Sequence, residues 1–156
     1  MFATTRRKLM LGAAALLTFA VAGTASAQPH EGPVKAAFVY VGPVGDFGYS
    51  FAHDQGRKFL EEKLGDKVET SYVENVAEGP DAERVIRQLA QDGNDIIFAT
   101  SFGFMNPTLK VAKQFPNVKF EHATGYQTAE NMAAYNAKFY EGRAVLGTIA
   151  GMMSKS

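Results

Sequence analysis

Three aromatic rings and one carboxylate lie within six residues, 46–51, of the stretch VYVGPVGDFGYSFAHDQG at 39–56. Phe47, Tyr49 and Phe51 supply the rings, and Asp46 supplies hydrogen-bond acceptors. A flat heteroaromatic ligand suits both features, because it can stack on a ring while the carboxylate accepts hydrogen bonds from its N–H groups or from sugar hydroxyls. The simpler alternative is that the rings pack beneath the loop and that its glycines only form turns. The local sequence leaves both interpretations open.

The glycines of this segment do not match a phosphate-binding motif. Gly42, Gly45 and Gly48 have the spacing GxxGxxG, whereas a dinucleotide fingerprint is GxGxxG and a P-loop ends in Gly-Lys followed by Ser or Thr. Asp46 would also place a negative charge beside a phosphate. The pattern therefore argues against a nucleotide site.

A second segment, residues 101–106, offers a hydroxyl and two rings, from Ser101, Phe102 and Phe104. We expect these three side chains to face the first loop across the strand ends and to line the same cleft. The run Ala-Thr-Ser-Phe-Gly at 99–103 also resembles the G-x-S-x-G nucleophile elbow of α/β hydrolases, with alanine in place of the first glycine. A secreted serine hydrolase that uses Ser101 is therefore the alternative function.

The hydrolase alternative lacks a suitable acid. His122 follows Ser101, but the only acidic residue between them is Glu121, directly beside the histidine. Consecutive residues of a strand point to opposite faces, so Glu121 cannot orient His122 toward Ser101. We also expect no metal and no cofactor, because His30, His53 and His122 lack ligand-like spacing and the chain contains no cysteine.

The elements that position these loops alternate between strand and helix. Short apolar or β-branched runs predict strands at residues 35–41, 68–73, 95–100, 118–122 and 132–136, with the second near a sheet edge. Helices are predicted at residues 51–64, from Pro80 to just before Gly93, at 106–114, and from 140 onward. Met152 and Met153 continue the apolar stripe of the last helix and are expected in the core. The alternation predicts a three-layer α/β fold with a parallel sheet, whose ligands bind beyond the carboxyl ends of the strands.

The first 27 residues have the pattern of a cleaved secretory signal. Arg6, Arg7 and Lys8 precede 13 apolar residues, and Ala-Ser-Ala at 25–27 fits a signal peptidase site. The same basic residues fit a twin-arginine signal, so the export route stays open. With glutamine rather than cysteine at position 28, we expect a soluble periplasmic protein without a lipid anchor.

Residues 28–156 are long enough for one domain and too few for two, and their formal charge is slightly negative. Removing the three basic residues of the signal from 16 Lys and Arg leaves 13 against 16 Asp and Glu, a formal charge of −3. No basic surplus is present to attract nucleic acid. We expect a monomer that binds a small molecule.

The whole of this region resembles the amino-terminal part of the basic membrane protein family, the purine-nucleoside-receptor-like substrate-binding proteins of ABC transporters. Four stretches carry the likeness: KAAFVYVGPVGDFGYSFAHDQGRK at 35–58, YVENVAEGPDAERVIRQLAQDGNDIIFATSFGFMNP at 72–107, VKFEHATGY at 118–126 and YNAKFYEGRAVLGTIAGMMSKS at 135–156. Family members often have Asp-Lys-Ser-Phe-Asn in the first loop, where the aspartate contacts the ligand and the phenylalanine stacks on the base. Asp46 and Tyr49 match those roles, whereas Phe47, Gly48 and Ser50 depart from the motif.

The resemblance implies a periplasmic-binding-protein type I, flavodoxin-like fold in which two α/β lobes close over a purine such as adenine and deliver it to an inner-membrane permease. Such proteins are about twice as long as this chain. We therefore expect residues 28–156 to form the first lobe with the second lobe absent. The product would then be a truncated receptor with one half of the cleft, or a non-functional gene fragment.

Overall fold

The computed structural model describes residues 32–155, and the signal sequence expected at 1–27 lies outside these residues. The strands are β1 (Val34–Val39), β2 (Val68–Val73), β3 (Ile96–Ala99), β4 (Lys119–Ala123) and β5 (Met132–Tyr135). The α-helices are α1 (Tyr49–Leu64), α2 (Pro80–Gln91), α3 (Met105–Ala112) and α4 (Phe139–Met153), with short 3-10 turns at Gly65–Lys67 and Phe102–Phe104. Among residues 32–155, no helix is long and apolar enough to cross a membrane.

The five strands form one parallel sheet in the order β2-β1-β3-β4-β5. This arrangement confirms the predicted α/β class, and β2 lies at a sheet edge as its mixed polarity predicted. Ala36 of β1 pairs with Ile96 of β3, and the same register aligns Val39 with Ala99. All five carboxyl ends consequently lie along one edge of the sheet, which we call the carboxyl edge.

Helices cover both faces of the sheet. On one face, α2 and α3 bury Ile86, Leu89 and Val111 against Val39 and Ile97, because the apolar residues of α2 recur at the spacing of one helix face. On the other face, α1 covers a smaller cluster around Ala36, Phe38 and Tyr40. Alternate residues of β1 therefore serve opposite cores, and its continuous apolar run follows from burial on both sides.

A buried ionic network joins α1 to the edge strand β2. Asp54 is 1% exposed and accepts hydrogen bonds from Arg57 Nε at 2.7 Å and Lys58 Nζ at 2.9 Å. Arg57 also donates to Glu61 at 2.9 Å and to Thr70 of β2 at 2.8 Å. Burial alone would raise the pKa of Asp54, but the hydrogen bonds from Lys58 and Arg57 outweigh it and hold that pKa below its usual value. The network thus joins α1 to β2 through polar contacts.

Two sequence expectations differ from the structure. Helix α3 spans Met105–Ala112, so it begins one residue earlier and ends two residues earlier than the predicted 106–114. Met152 and Met153 are 82% and 75% exposed, and every residue of α4 is exposed, so the apolar stripe of α4 is not part of the core. Periodicity reports an apolar face but not which surface covers it.

Candidate functional site

Connections from four strands converge at the carboxyl edge: residues 40–48 after β1, 74–79 after β2, 100–104 after β3 and 124–131 after β4. The two loops singled out from the sequence are the first and the third of these. Because β1 and β3 are adjacent, the two loops leave the sheet side by side. The structure thus places the two loops next to each other at the carboxyl edge, and their shared role in one cleft stays a prediction.

The first loop owes its shape to Asp46. Its carboxylate accepts the backbone N–H of Gly48 at 2.8 Å, and Phe47 between them adopts a left-handed φ of 58°. A β-carbon at Gly48 would lie 3.0 Å from the carboxylate, so the glycine admits the close approach. The Phe47 ring is 82% exposed and contacts the neighbouring Phe51, with ring centroids 4.9 Å apart. It does not pack beneath the loop, so the turn leaves this ring available to a ligand.

Two further contacts hold the first loop to the body of the protein. Ser50 Oγ accepts the N–H of Gly42 at 3.1 Å, and Glu74 Oε2 accepts the N–H of Val44 at 2.8 Å. The second contact reaches across from the connection after β2. The loop is therefore fixed at its start and middle, while the tip that carries Phe47 projects into solvent.

Tyr49 lies on the α1 side of the carboxyl edge. Its ring meets His53 edge-on at 4.6 Å between centroids and lines a cavity of about 140 Å³ with Thr124, Tyr135 and Phe139. Burial is the main cause that raises the pKa of Tyr135 to about 12, and electrostatic repulsion from Tyr49 and Glu121 adds to it. Both tyrosines are consequently neutral hydrogen-bonding groups at neutral pH.

The third loop is held by Glu78, a residue that the sequence analysis did not single out. Ser101 Oγ donates to Glu78 Oε1 at 2.6 Å, and the N–H of Gly103 donates to the same oxygen at 3.1 Å. A β-carbon at Gly103 would lie 2.1 Å from the Glu78 carboxyl carbon, so only glycine allows this approach. The connection after β2 therefore supplies carboxylates to both neighbouring loops.

Phe102 and Tyr126 form the outer rim of the third and fourth connections. Their ring centroids are 6.4 Å apart, and the rings are 57% and 74% exposed. Phe104, in contrast, is fully buried with Val111 and Ile97 in the hydrophobic core, so the expectation that Phe104 lines the cleft is wrong. The Phe102–Phe104 turn directs one ring outward and the other inward.

The geometry around Ser101 does not support a hydrolase. His122 is fully buried, and its Nε2 donates to the backbone carbonyl of Ser101 at 2.7 Å, while the Ser101 hydroxyl is directed to Glu78. Because a carbonyl oxygen only accepts, His122 carries its proton on Nε2. Its Nδ1 has no hydrogen-bond partner among residues 32–155. His122 thus fixes the backbone of Ser101 and does not activate its hydroxyl.

Acid should weaken the fold through His122. Burial lowers the pKa of His122, and the Ser101 carbonyl opposes that shift in part. Below about pH 6.5 the unfolded chain therefore binds a proton that the folded chain does not bind. As the pH decreases, the free energy of unfolding should decrease by at most about 1.4 kcal/mol per pH unit for this one group. Urea denaturation at pH 7.5 and 5.5 measures this slope.

His122→Gln should reduce that slope, whatever its effect on stability at pH 7.5. His53→Gln should reduce the slope as well, because burial also lowers the pKa of His53. An unchanged slope in His122→Gln would contradict the assignment.

Three residues of this edge escaped the sequence analysis: Glu74, Glu78 and Tyr126. Glu74 and Glu78 belong to the connection after β2, whereas only the loops after β1 and β3 were considered. The predicted strand at 68–73 placed both carboxylates at the same carboxyl edge, which is the signal that could have identified them. Among residues 32–155, no group of three or more His, Asp or Glu side chains could hold a metal ion.

Known proteins resemble this chain over most of its length. A family described as ABC transporter substrate-binding protein PnrA-like matches residues 33–156. The chain is 63% identical over 137 residues to a purine-binding protein from Brucella abortus, which covers 88% of this chain and 38% of that protein. It is 46% identical over 129 residues to a Haloferax volcanii protein named as an ABC transporter glucose-binding protein, which covers 82% and 32%. The chain thus spans well under half the length of either relative.

Solved structures share the fold at lower identity. An ABC transporter solute-binding protein from Conexibacter woesei aligns with a TM-score of 0.61 at 24% identity, over 66% of this chain and 35% of that one. A solute-binding protein from Aeropyrum pernix aligns with a TM-score of 0.56 at 23% identity, over 67% and 28%. At these identities the likeness concerns the fold alone.

Proposed function

The chain belongs to the family of PnrA-like ABC transporter substrate-binding proteins, and on that basis we propose that it forms one lobe of a periplasmic receptor for a purine base or nucleoside. The observation that carries the proposal is the 63% identity to a purine-binding protein over 88% of this chain. An inner-membrane ABC permease is the partner to which such a receptor would deliver its ligand. Both curated relatives are named as binding proteins, which favours binding over catalysis.

The carboxyl edge has the chemistry that a purine requires. Exposed rings at Phe47 and Phe102, with Tyr49 beside its small cavity, offer flat surfaces for stacking. The carboxylates of Asp46 and Glu78 accept hydrogen bonds from ring or amino N–H groups. We propose Asp46, Phe47, Tyr49, Ser101 and Phe102 as ligand contacts and leave out the buried Phe104.

One lobe supplies one wall of the cleft. Stacking on one side and an edge open to solvent leave much of a purine in water, and closure by a second lobe is what buries it. We therefore propose that tight binding requires the remainder of a two-lobed receptor, which would supply the opposite wall.

Isothermal titration with adenine, adenosine, guanosine and inosine tests the proposal. Two proteins should be compared: the 156-residue chain, and a chimera in which the Brucella abortus relative supplies the sequence beyond the matched segment. We expect binding by the chimera and weak or no binding by the single lobe. Absence of heat from the chimera with all four ligands would overturn the purine assignment.

Loss of one stacking ring should weaken purine binding by the chimera. Replacing Tyr49 or Phe102 with alanine is expected to raise the dissociation constant roughly tenfold or more, because a base stacked on an aromatic side chain contributes about 1–3 kcal/mol. Phe59→Ala is the matched control, since Phe59 is an exposed ring on α1 that contacts Lys63 away from the carboxyl edge. Equal affinities in all three variants would remove these rings from the site.

A further inference from the structure

Glu78 determines which hydrogen-bonding role Ser101 can take toward a ligand. The Ser101 hydroxyl has a single proton, and that proton is donated to Glu78 Oε1 at 2.6 Å. The N–H of Gly103 is donated to the same oxygen. A carboxylate only accepts, so neither the serine hydroxyl nor the glycine N–H has a donor left for another group.

The groups that the side chains of Ser101 and Glu78 keep available are acceptors. Ser101 Oγ keeps its lone pairs, and Glu78 Oε2 accepts no hydrogen bond from residues 32–155. Glu78 is exposed and Ser101 half-buried, so both acceptors are accessible at the carboxyl edge. A ligand that contacts this corner must therefore bring donors.

We propose that Glu78 is a specificity-determining residue that makes this corner select purines with an exocyclic amino group over purines with a carbonyl at the same place. An amino group carries two N–H donors and can serve Ser101 Oγ and Glu78 Oε2 together. A carbonyl oxygen can serve neither, and it would face the carboxylate with like polarity. Sites that accept an N–H discriminate against analogues that lack it, because a carbonyl oxygen placed against two acceptors has no hydrogen bond to make with either.

The inference rests on the proposed purine-binding function, and it explains why Gly103 has no side chain. A β-carbon on residue 103 would lie 2.1 Å from the carboxyl carbon of Glu78, so it would displace that carboxylate. Gly103→Ala should therefore move the acceptor away from Ser101 and free the hydroxyl proton. The serine could then donate to a carbonyl oxygen.

The test is the ratio of the dissociation constants for inosine and adenosine, measured by titration on the chimera. We expect wild type to bind adenosine more tightly. Glu78→Gln keeps an acceptor for Ser101 and Gly103 but puts an NH₂ donor in place of Oε2, so the ratio should shift toward inosine by about tenfold or more. Gly103→Ala should shift it in the same direction.

Glu62→Gln is the matched control, because it removes the same charge from an exposed glutamate of α1 that pairs with Lys63. Its ratio should equal that of wild type. If wild type binds purines and Glu78→Gln leaves the ratio unchanged, the role of Glu78 is refuted while the proposed function stands. If wild type binds no purine, the proposed function itself fails.

Discussion

Replacing Asp54 with alanine is expected to lower the free energy of unfolding by about 3 kcal/mol, the cost of breaking a buried ion pair by removing one partner. Asp54 is 1% exposed and faces Arg57, whose side chain is 9% exposed. Without the carboxylate, the guanidinium stays buried and keeps the contacts with Glu61, Thr70 and the Tyr72 ring. The loss should therefore reflect a buried cation whose remaining counter-ion, Glu61, is partly exposed, more than one lost contact.

A double-mutant cycle separates these two contributions. Arg57→Met alone and Asp54→Ala alone should each destabilise, whereas the double variant should lose clearly less than the sum, because it removes both members of the buried pair. Lys58→Ala is the matched control: Lys58 contacts the same carboxylate, but its side chain is 54% exposed, so its loss should cost well under about 1 kcal/mol. Additive effects in urea denaturation would show that the pair is not coupled.

Gly125→Ala is expected to cost about 2 kcal/mol, the usual scale for inserting a methyl group into a filled interior. The added β-carbon would lie 2.1 Å from His122 Nδ1 and 3.3 Å from Met105 Cγ. The His122 ring is fully buried and bonded to the carbonyl of Ser101, so it cannot move aside without releasing the third loop. Thermal unfolding should show the loss directly.

His122→Ala should relieve this clash. In that background, Gly125→Ala is expected to cost little, because the ring that it would strike is gone. Gly147→Ala, in the middle of α4, is the matched control: nothing lies within 4 Å of its added β-carbon, and alanine favours a helix by up to about 1 kcal/mol over glycine. A cost for Gly125→Ala that persists without the imidazole would assign the effect to the backbone instead.

The fold was largely predictable because the spacing of apolar residues and the positions of Gly and Pro indicated the same elements along the chain. Ala82, Ile86 and Leu89 have the spacing of one face of a helix and do not fit a strand. The continuous apolar run of β1, which is buried on both sides, is typical of a strand in a parallel sheet. The family resemblance, seen in residues 35–58 and 72–107 above all, is confirmed by the family match over residues 33–156. The proposed ligand contacts, the export signal and the extent of the first lobe stay predictions.

Side-chain direction is where sequence reasoning failed. Phe102 and Phe104 are two positions apart in a turn, and no periodicity indicates that the first ring points to solvent and the second into the core. The hydrogen bond between Ser101 and Glu78 joins residues that are 23 positions apart in the sequence, so no local pattern predicts it. The exposure of Met152 depends on which surfaces are near α4, which local pattern does not encode.

The position of β1 within the sheet has a consequence for folding kinetics. Val34 pairs with Val68 and Ala36 with Ile96, so the first strand to be synthesised waits for partners 34 and 60 positions later. Such high contact order slows folding, because long loops must close before any pairing rewards them. During that interval the apolar residues of β1 are unshielded, which makes the nascent chain prone to aggregation.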